Sequence, residues 1–288
     1  MFEPFLHLLE TSRAFLTGCT FALGLAIGSF LNVVILRLPV MMEREWRRQC
    51  AESEGRAAPP EEPFNLITPP SRCPACGTRI RPLDNLPLVS WLLLRGRCRA
   101  CGATISVRYP LIELLTGLCS AGVAWHFGFG WALAGALLLT WVLIALTVID
   151  LDHQLLPDAL TLPFLWVGLL FSLGHVFTDP RSAILGAVSG YLSLWTVYQV
   201  FRLATGKEGM GFGDFKLLAM LGAWLGWQAL PLVILLSSLV GAAVGIALIV
   251  TRRGKRDTPI PFGPYLAAAG WIALLWRDVL IGAWLGRP

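Results

Sequence analysis

Charge is scarce in this chain. Asp, Glu, Lys and Arg make up 14% of its 288 residues, against 56% hydrophobic residues and a mean hydropathy of +0.66. So little polar surface does not cover a soluble domain of this length, and the composition points to a chain that crosses a membrane several times. Histidine is scarcer still, with 4 residues and no H-E-x-x-H, which argues against a zinc metalloprotease of that type. No small-residue cleavage site follows the first apolar run, and the charge cluster comes after it, from Arg37 onward, so it reads as a retained span.

What is present is a series of apolar runs, near 14–36, 111–127, 131–149, 159–177, 183–201, 214–227, 231–251 and 262–285. Most approach the roughly 20 residues that a span requires. The run at 214–227 is short and reads as a half-span or a tilted, broken helix. The expected fold is all-α and polytopic, with about eight transmembrane helices; seven is the other count. Pro231 suits the first turn of the seventh, where its missing N–H costs nothing. Trp125, Trp131, Trp224, Trp227 and Trp284 sit where apolar runs meet loops, as in an interfacial aromatic belt.

Of the 23 Lys and Arg, 12 lie in 37–110, 3 in 202–216 and 4 in 252–256. The positive-inside rule makes those segments cytoplasmic. Eight spans then leave both termini outside. The pI near 9.0 reflects this bias and implies no nucleic-acid partner. The division expected is a first span at 1–37, a cytoplasmic insert at 38–110 and a membrane core at 111–288.

The insert begins with a charged, proline-bearing stretch that reads as a helix followed by an extended linker. Then come CPACG and CRACG, two C-x-x-C-G knuckles with 21 residues between the pairs. Cys73, Cys76, Cys98 and Cys101 at that spacing can close a tetrahedral thiolate site, with the glycines permitting the tight turns. Two disulfides are the other reading, and a reducing cytoplasm disfavours them. Four thiolates fill a Zn²⁺ coordination sphere, so such a metal holds structure and activates no water. Cys19 and Cys119 lie in spans and read as packing residues.

Carboxylates in or beside apolar runs are costly and are functional candidates. Asp150 ends the third run, in LTVIDLDHQLLPDALTLP, and Asp214 opens the sixth, in GMGFGDFKLLAMLGAW. The topology puts both at the cytoplasmic side and at similar depth. Asp158, after Pro157, reads as a helix cap. Asp214 could also be a cap, Asp152 a solvated loop charge, and Glu113 a partner of Arg108. His153 has no second histidine at helical spacing, and Lys216 reads as a snorkelling cation. GAVSG at 186–190 lacks a nucleophile-elbow form and reads as close helix packing.

Gly211-Phe212-Gly213-Asp214 is a G-x-G-D motif. With ID…LLPD at 149–158, GSFLNVVILRLP at 28–39, both knuckles, DNLPLVSWLLLRGRCRACG at 84–102, SVRYPLIELL at 106–115 and GKEGMGFGDFKLLAMLGAW at 206–224, the chain resembles the type IV prepilin peptidase family. The resemblance covers nearly the whole chain. It implies a membrane aspartic endopeptidase with Asp150 and Asp214 as catalytic pair. It also implies substrates that are type IV prepilins and type II secretion pseudopilins, cleaved after a basic leader at the cytoplasmic face of the bacterial inner membrane. The cysteine-bearing insert implies N-methylation of the new N-terminus with S-adenosylmethionine. Two close carboxylates titrate as one coupled pair, one ionised to activate water and one protonated to polarise the carbonyl.

The methyltransferase half is not legible. Residues 38–110 contain no Gly-rich strand-to-helix turn. In RGRCRACG, Arg95, Arg97 or Arg99 could hold an anionic group or meet lipid headgroups, and Arg95 and Arg97 are the candidates for methyl transfer. The rival reading is a proton-coupled carrier or channel with a zinc-stabilised cytoplasmic gate. A carrier should show repeated halves with matched broken helices, and only one short run and no repeat beyond the knuckles are found.

Overall fold

The computed structural model describes residues 3–56, 62–207, 209–251 and 261–285. Among the described residues the fold is helical, with two isolated β-bridges and no strand. It forms two compact units, Met1–Phe129 and Gly130–Pro288.

In the first unit a short helix, α1 (Glu3–Thr11), precedes α2 (Arg13–Ser53). Ser12 separates them, its hydroxyl accepting the Phe15 amide at 3.3 Å as an N-cap. At 41 residues α2 is about 60 Å long, twice the hydrocarbon thickness, so its second half leaves the apolar layer. Pro39 sits inside it without ending it. The residues that follow, MMEREWRRQCAES, are mostly good helix formers, and Glu43–Arg47 and Glu45–Arg48 pair across a turn at 3.0 and 2.9 Å. The linker then returns to α2. Arg37 donates to the main-chain oxygens of Asn65 and Pro69 at 2.9 and 2.6 Å, and the Arg44 guanidinium lies 4.4 Å from the Phe64 ring centre.

After the knuckles and a one-turn helix, α3 (Val89–Leu93), helix α4 (Arg108–Phe127) packs along α2. Glycine permits the approach: a Cβ on Gly28 would stand 2.7 Å from the Glu113 Cα.

The second unit holds α5 (Trp131–His153), α6 (Asp158–Leu173), α7 (Pro180–Thr205), α8 (Phe212–Leu225), α9 (Leu230–Val250) and α10 (Gly263–Leu285). Helix α8 is its axis. From Asp214 to Leu225 every residue except Lys216 is buried. A helix apolar all round is one surrounded by protein, which is why a 14-residue element suffices here. Small residues admit its neighbours: Gly186 of α7 meets Gly222 backbone to backbone, and Gly190 meets the Leu218 carbonyl. The GAVSG stretch is thus a close-packing seam.

Each of the eight apolar runs folds as a helix, but eight membrane spans are not established. Among the described residues four helices are long and apolar enough to cross a membrane: Arg13–Ser53, Trp131–His153, Pro180–Thr205 and Trp227–Leu248. Asp158–Leu173 and Gly263–Trp276 are shorter apolar helices, the latter ending where α10 kinks at Trp276. The aromatic belt also needs one correction. Trp125, Trp131 and Trp227 are exposed, but Trp224 is 1% exposed and stacks on Phe171, its indole donating to the Phe164 carbonyl at 2.8 Å. It faces α6, not an interface. The side chain of Trp284 lies outside the described residues.

Candidate functional site

The two cysteine knuckles are near copies in their main chains. In the first, Cys73 N–H donates to Thr78 O and Gly77 N–H to Cys73 O, both at 2.9 Å. In the second, Cys98 N–H donates to Ala103 O at 2.8 Å and Gly102 N–H to Cys98 O at 2.9 Å. Gly77 and Gly102 close the turns at φ +70° and +71°, a left-handed conformation that a Cβ would strain. The result brings the sulfurs of Cys73, Cys76, Cys98 and Cys101 within 4.8 Å of one another. A tetrahedral thiolate site with metal–sulfur bonds of about 2.3 Å needs sulfurs ~3.8 Å apart, and Cys73 and Cys101 already stand at 3.9 Å.

The electrostatics also favour a cation. The Thr78 hydroxyl, then its main-chain amide, lowers the Cys76 thiol to about 6. The amides of Cys101 and Ala100 lower Cys98. The Ala103 amide lowers Cys101 as well, but the Cys76 sulfur, burial and the other sulfurs outweigh it, and Cys101 is pushed up to about 11. Four thiols this close do not all ionise unless a cation compensates them. The cluster therefore fits a metal ion.

Of the neighbouring arginines, Arg99 is engaged by Asp84 through three contacts of 2.6–3.1 Å. Arg95 and Arg97 are exposed, Arg95 at φ +51° on the turn between α3 and the second knuckle. Glu113 is buried in α4 and accepts the Leu88 amide at 2.8 Å, which ties the start of α3 to α4. No local pattern announces that tie, which joins residues 25 apart.

In the second unit, Asp150 lies in the last turn of α5 and Asp214 in the first turn of α8; they are 5% and 8% exposed. Neither reads as a cap: α8 has Gly211 at its N-cap position and no side-chain capping bond. The Asp150 carboxylate instead accepts the Gly263 amide at 3.0 Å, from the start of α10. Leu156 forms a common wall. A Cβ on Gly213 would stand 2.8 Å from the Leu156 Cβ, and one on Gly263 would stand 2.6 Å from Asp150 Oδ2 and 3.1 Å from Leu156 Cδ2. Gly213 and Gly263 thus let two helix starts close on the two carboxylates. Gly263 was missed in the sequence because the contact is 113 residues away from Asp150.

Asp158 and Lys216 are not what the sequence suggested. Pro157 is the N-cap of α6, with no side-chain cap, and Asp158 pairs with Lys216 at 2.6 and 2.8 Å. The lysine is thereby held across the first turns of α6 and α8 instead of extending alone. His153 and Asp152 join no cluster of metal-ligating side chains among the described residues.

An apolar cavity of about 350 Å³ lies in this unit, lined by Leu194 and Val197 of α7, Met210, Ile234 and Gly241 of α9, and Phe262 and Tyr265 among others. Met210 and Phe262 each immediately precede a glycine of the aspartate site, Gly211 and Gly263.

The model of the type IV leader peptidase family matches residues 137–246, and that of the bacterial peptidase A24 N-terminal domain matches residues 22–127. The chain is 59% identical to a prepilin leader peptidase/N-methyltransferase of Stutzerimonas stutzeri over 93% of each chain. It is 56% identical to one of Pseudomonas aeruginosa over 98% of each, and 62% identical to one of Aeromonas hydrophila over 90% of each. No solved structure matches.

Proposed function

The chain belongs to the type IV leader peptidase family, and from that premise we propose that it cleaves the leader of prepilin-type substrates and N-methylates the residue so exposed. The carrier or channel reading is not favoured, since the relatives named as peptidase and methyltransferase span almost the full chain.

The observation that carries the proteolytic half is the meeting of two buried carboxylates, Asp150 and Asp214, at the junction of α5, α8 and α10. In this reading the pair shares one proton. The ionised member takes a proton from water as the oxygen attacks the scissile carbonyl. The protonated member polarises that carbonyl, and a proton then passes to the leaving amine. Gly213 and Gly263 let the starts of α8 and α10 close on Leu156 and the Asp150 carboxylate, which holds that carboxylate in place. The neighbouring apolar cavity suits the apolar stem of a prepilin or pseudopilin, with the basic leader toward the cytoplasm.

The division of labour is one of chemistry: 38–110 bears the metal and the methyl-transfer candidates Arg95 and Arg97, and 111–288 bears the aspartates, with 1–37 as first span. Packing divides differently, because α4 lies along α2. Cys73, Cys76, Cys98 and Cys101 would hold one structural Zn²⁺. When bound, S-adenosylmethionine would supply an electrophilic methyl group to the freed amine, the S–CH3 bond breaking to release S-adenosylhomocysteine as the amine gives up a proton. The protein resides in the bacterial inner membrane, in contact with lipid, with insert and aspartates at the cytoplasmic face and no role for nucleic acid.

The test is reconstitution. Purified protein in lipid should cleave a peptide with a basic leader and an apolar stem, and should methylate the product. The pH–rate profile of cleavage should be bell-shaped. Transport of protons without any cleavage would return the carrier reading.

A further inference from the structure

Two stretches left without a task by the aspartates and the knuckles meet in one cavity. Asn32, Ile35 and Leu36 come from GSFLNVVILRLP, and Ser106, Arg108 and Tyr109 from SVRYPLIELL; together they line a space of about 220 Å³.

Asn32 is 6% exposed in α2. A polar side chain there is costly unless it is bonded. Its Nδ2 donates to Gly28 O at 3.2 Å and to Tyr109 O at 3.1 Å. Those acceptors fix the amide, because a flip would set Oδ1 against two carbonyl oxygens. Among the described residues no donor reaches Oδ1. Nor is Oδ1 sealed in: among the described residues the occluded side-chain atoms without partners are Thr17 Oγ1, Thr178 Oγ1 and Gln228 Oε1. Oδ1 is therefore an acceptor open to the cavity. Holding α2 to α4 accounts for Nδ2 and leaves Oδ1 unexplained.

The remaining walls narrow the ligand. Ile35 and Leu36 are apolar, and Arg108 brings a cation. The volume falls below the roughly 300–1,000 Å³ that encloses a whole drug-sized ligand. A group of about amino-acid size suits that volume.

We propose that this cavity binds an α-amino group during methyl transfer, with Asn32 Oδ1 as the acceptor of its N–H. Two sources carry that group. One is the methionine end of the methyl donor, whose α-carboxylate would face Arg108. The other is the N-terminus freed by cleavage. The inference rests on the methyltransferase reading above.

Full-length protein in lipid nanodiscs tests it through two variants. Asn32→Leu removes the acceptor. Leu36→Trp fills the cavity while leaving both Asn32 bonds in place, and so decides the matter if the first variant folds poorly. Calorimetry gives the Kd of S-adenosylhomocysteine, and an apolar-stem peptide with a free N-terminus gives the KM for methyl transfer. Cleavage of a leader-bearing peptide reports the fold. One binding constant should weaken about tenfold or more, as for loss of a hydrogen bond to a charged group, with cleavage within twofold of parent. Weaker S-adenosylhomocysteine binding in both variants and in Arg108→Gln assigns the donor's methionine end. A raised acceptor KM with S-adenosylhomocysteine unaffected assigns the freed N-terminus. Both constants within twofold of parent, or cleavage falling in step with methylation in Leu36→Trp, would overturn the inference. A parent protein that methylates nothing would instead remove the methyltransferase reading itself.

Discussion

The four sulfurs come from two short turns whose shape is set by bonds within each turn, whereas the two carboxylates come from helix ends brought together by the packing of α8. The first arrangement is local in sequence and has the geometry to hold a cation. The second is distant in sequence and is fixed by small residues against a buried helix. The two should therefore fail in different ways. Damage to the knuckles should spread through the insert and spare the core. Damage at the aspartates should stop one reaction and leave the fold alone.

The largest effect expected is from Asp150→Asn or Asp214→Asn. Neither carboxylate caps its helix, so Asn should fold in place, yet it cannot shuttle a proton. Cleavage should fall by about 1,000-fold or more, in the range assigned to general acid–base groups. The double variant should be scarcely worse, since the pair acts as a unit. Metal content should stay at the parent level, measured by elemental analysis on the same samples. A folded single variant cleaving near the parent rate would end the assignment.

Cys98→Ser breaks the other side of the comparison. Parent protein should carry about one zinc per chain, and the variant should lose it, because four-thiolate binding and local folding are linked. Proteolysis should then cut first within 62–107. Methyl transfer should fall at least ~10-fold while cleavage falls less than that. Equal loss of both activities would show that the insert and the aspartates act as one site.

The contrast also explains what could be read from the sequence. The knuckles were legible to the residue, because C-x-x-C-G writes its own turn. The eight apolar runs were legible as helices because hydropathy survives without tertiary detail. Continuity of α2 through Pro39 was not, since a proline inside a helix is usually a stop. Trp224 looked interfacial by position and is core by packing. The Lys216–Asp158 pair and the Gly263–Asp150 bond both span more than fifty residues, at separations of 58 and 113, and no local pattern announces either.

Gly263→Ala tests whether packing sets the carboxylate. Its new Cβ would lie 2.6 Å from Asp150 Oδ2, so the carboxylate must shift while both aspartates remain. A displacement of about 1 Å at a reacting group can cost ~100-fold, so a fall of ~10- to 100-fold in kcat is expected. Zinc content and methylation of a pre-cleaved peptide should not change. A parent-like kcat would mean that the Gly263 contact does not position Asp150.

Lys216→Ala should have the smallest effect, and its smallness is informative. The lysine pairs with Asp158 at 2.6 Å, beside the site but with side chains 29% and 51% exposed. Ion pairs that water can reach contribute about 0–1 kcal/mol, so screening leaves little to lose. Cleavage should change by less than ~5-fold. A cycle with Asp158→Ala should return a coupling of about 1 kcal/mol or less, and added salt should shrink it further. The pair would then be a clasp between the first turns of α6 and α8, steadying Asp214 without touching the reaction. A loss approaching that of Asp214→Asn would instead place the ammonium among the reacting groups. Such a loss should persist in the Asp158→Ala background, since a clasp needs its partner and a catalytic cation does not.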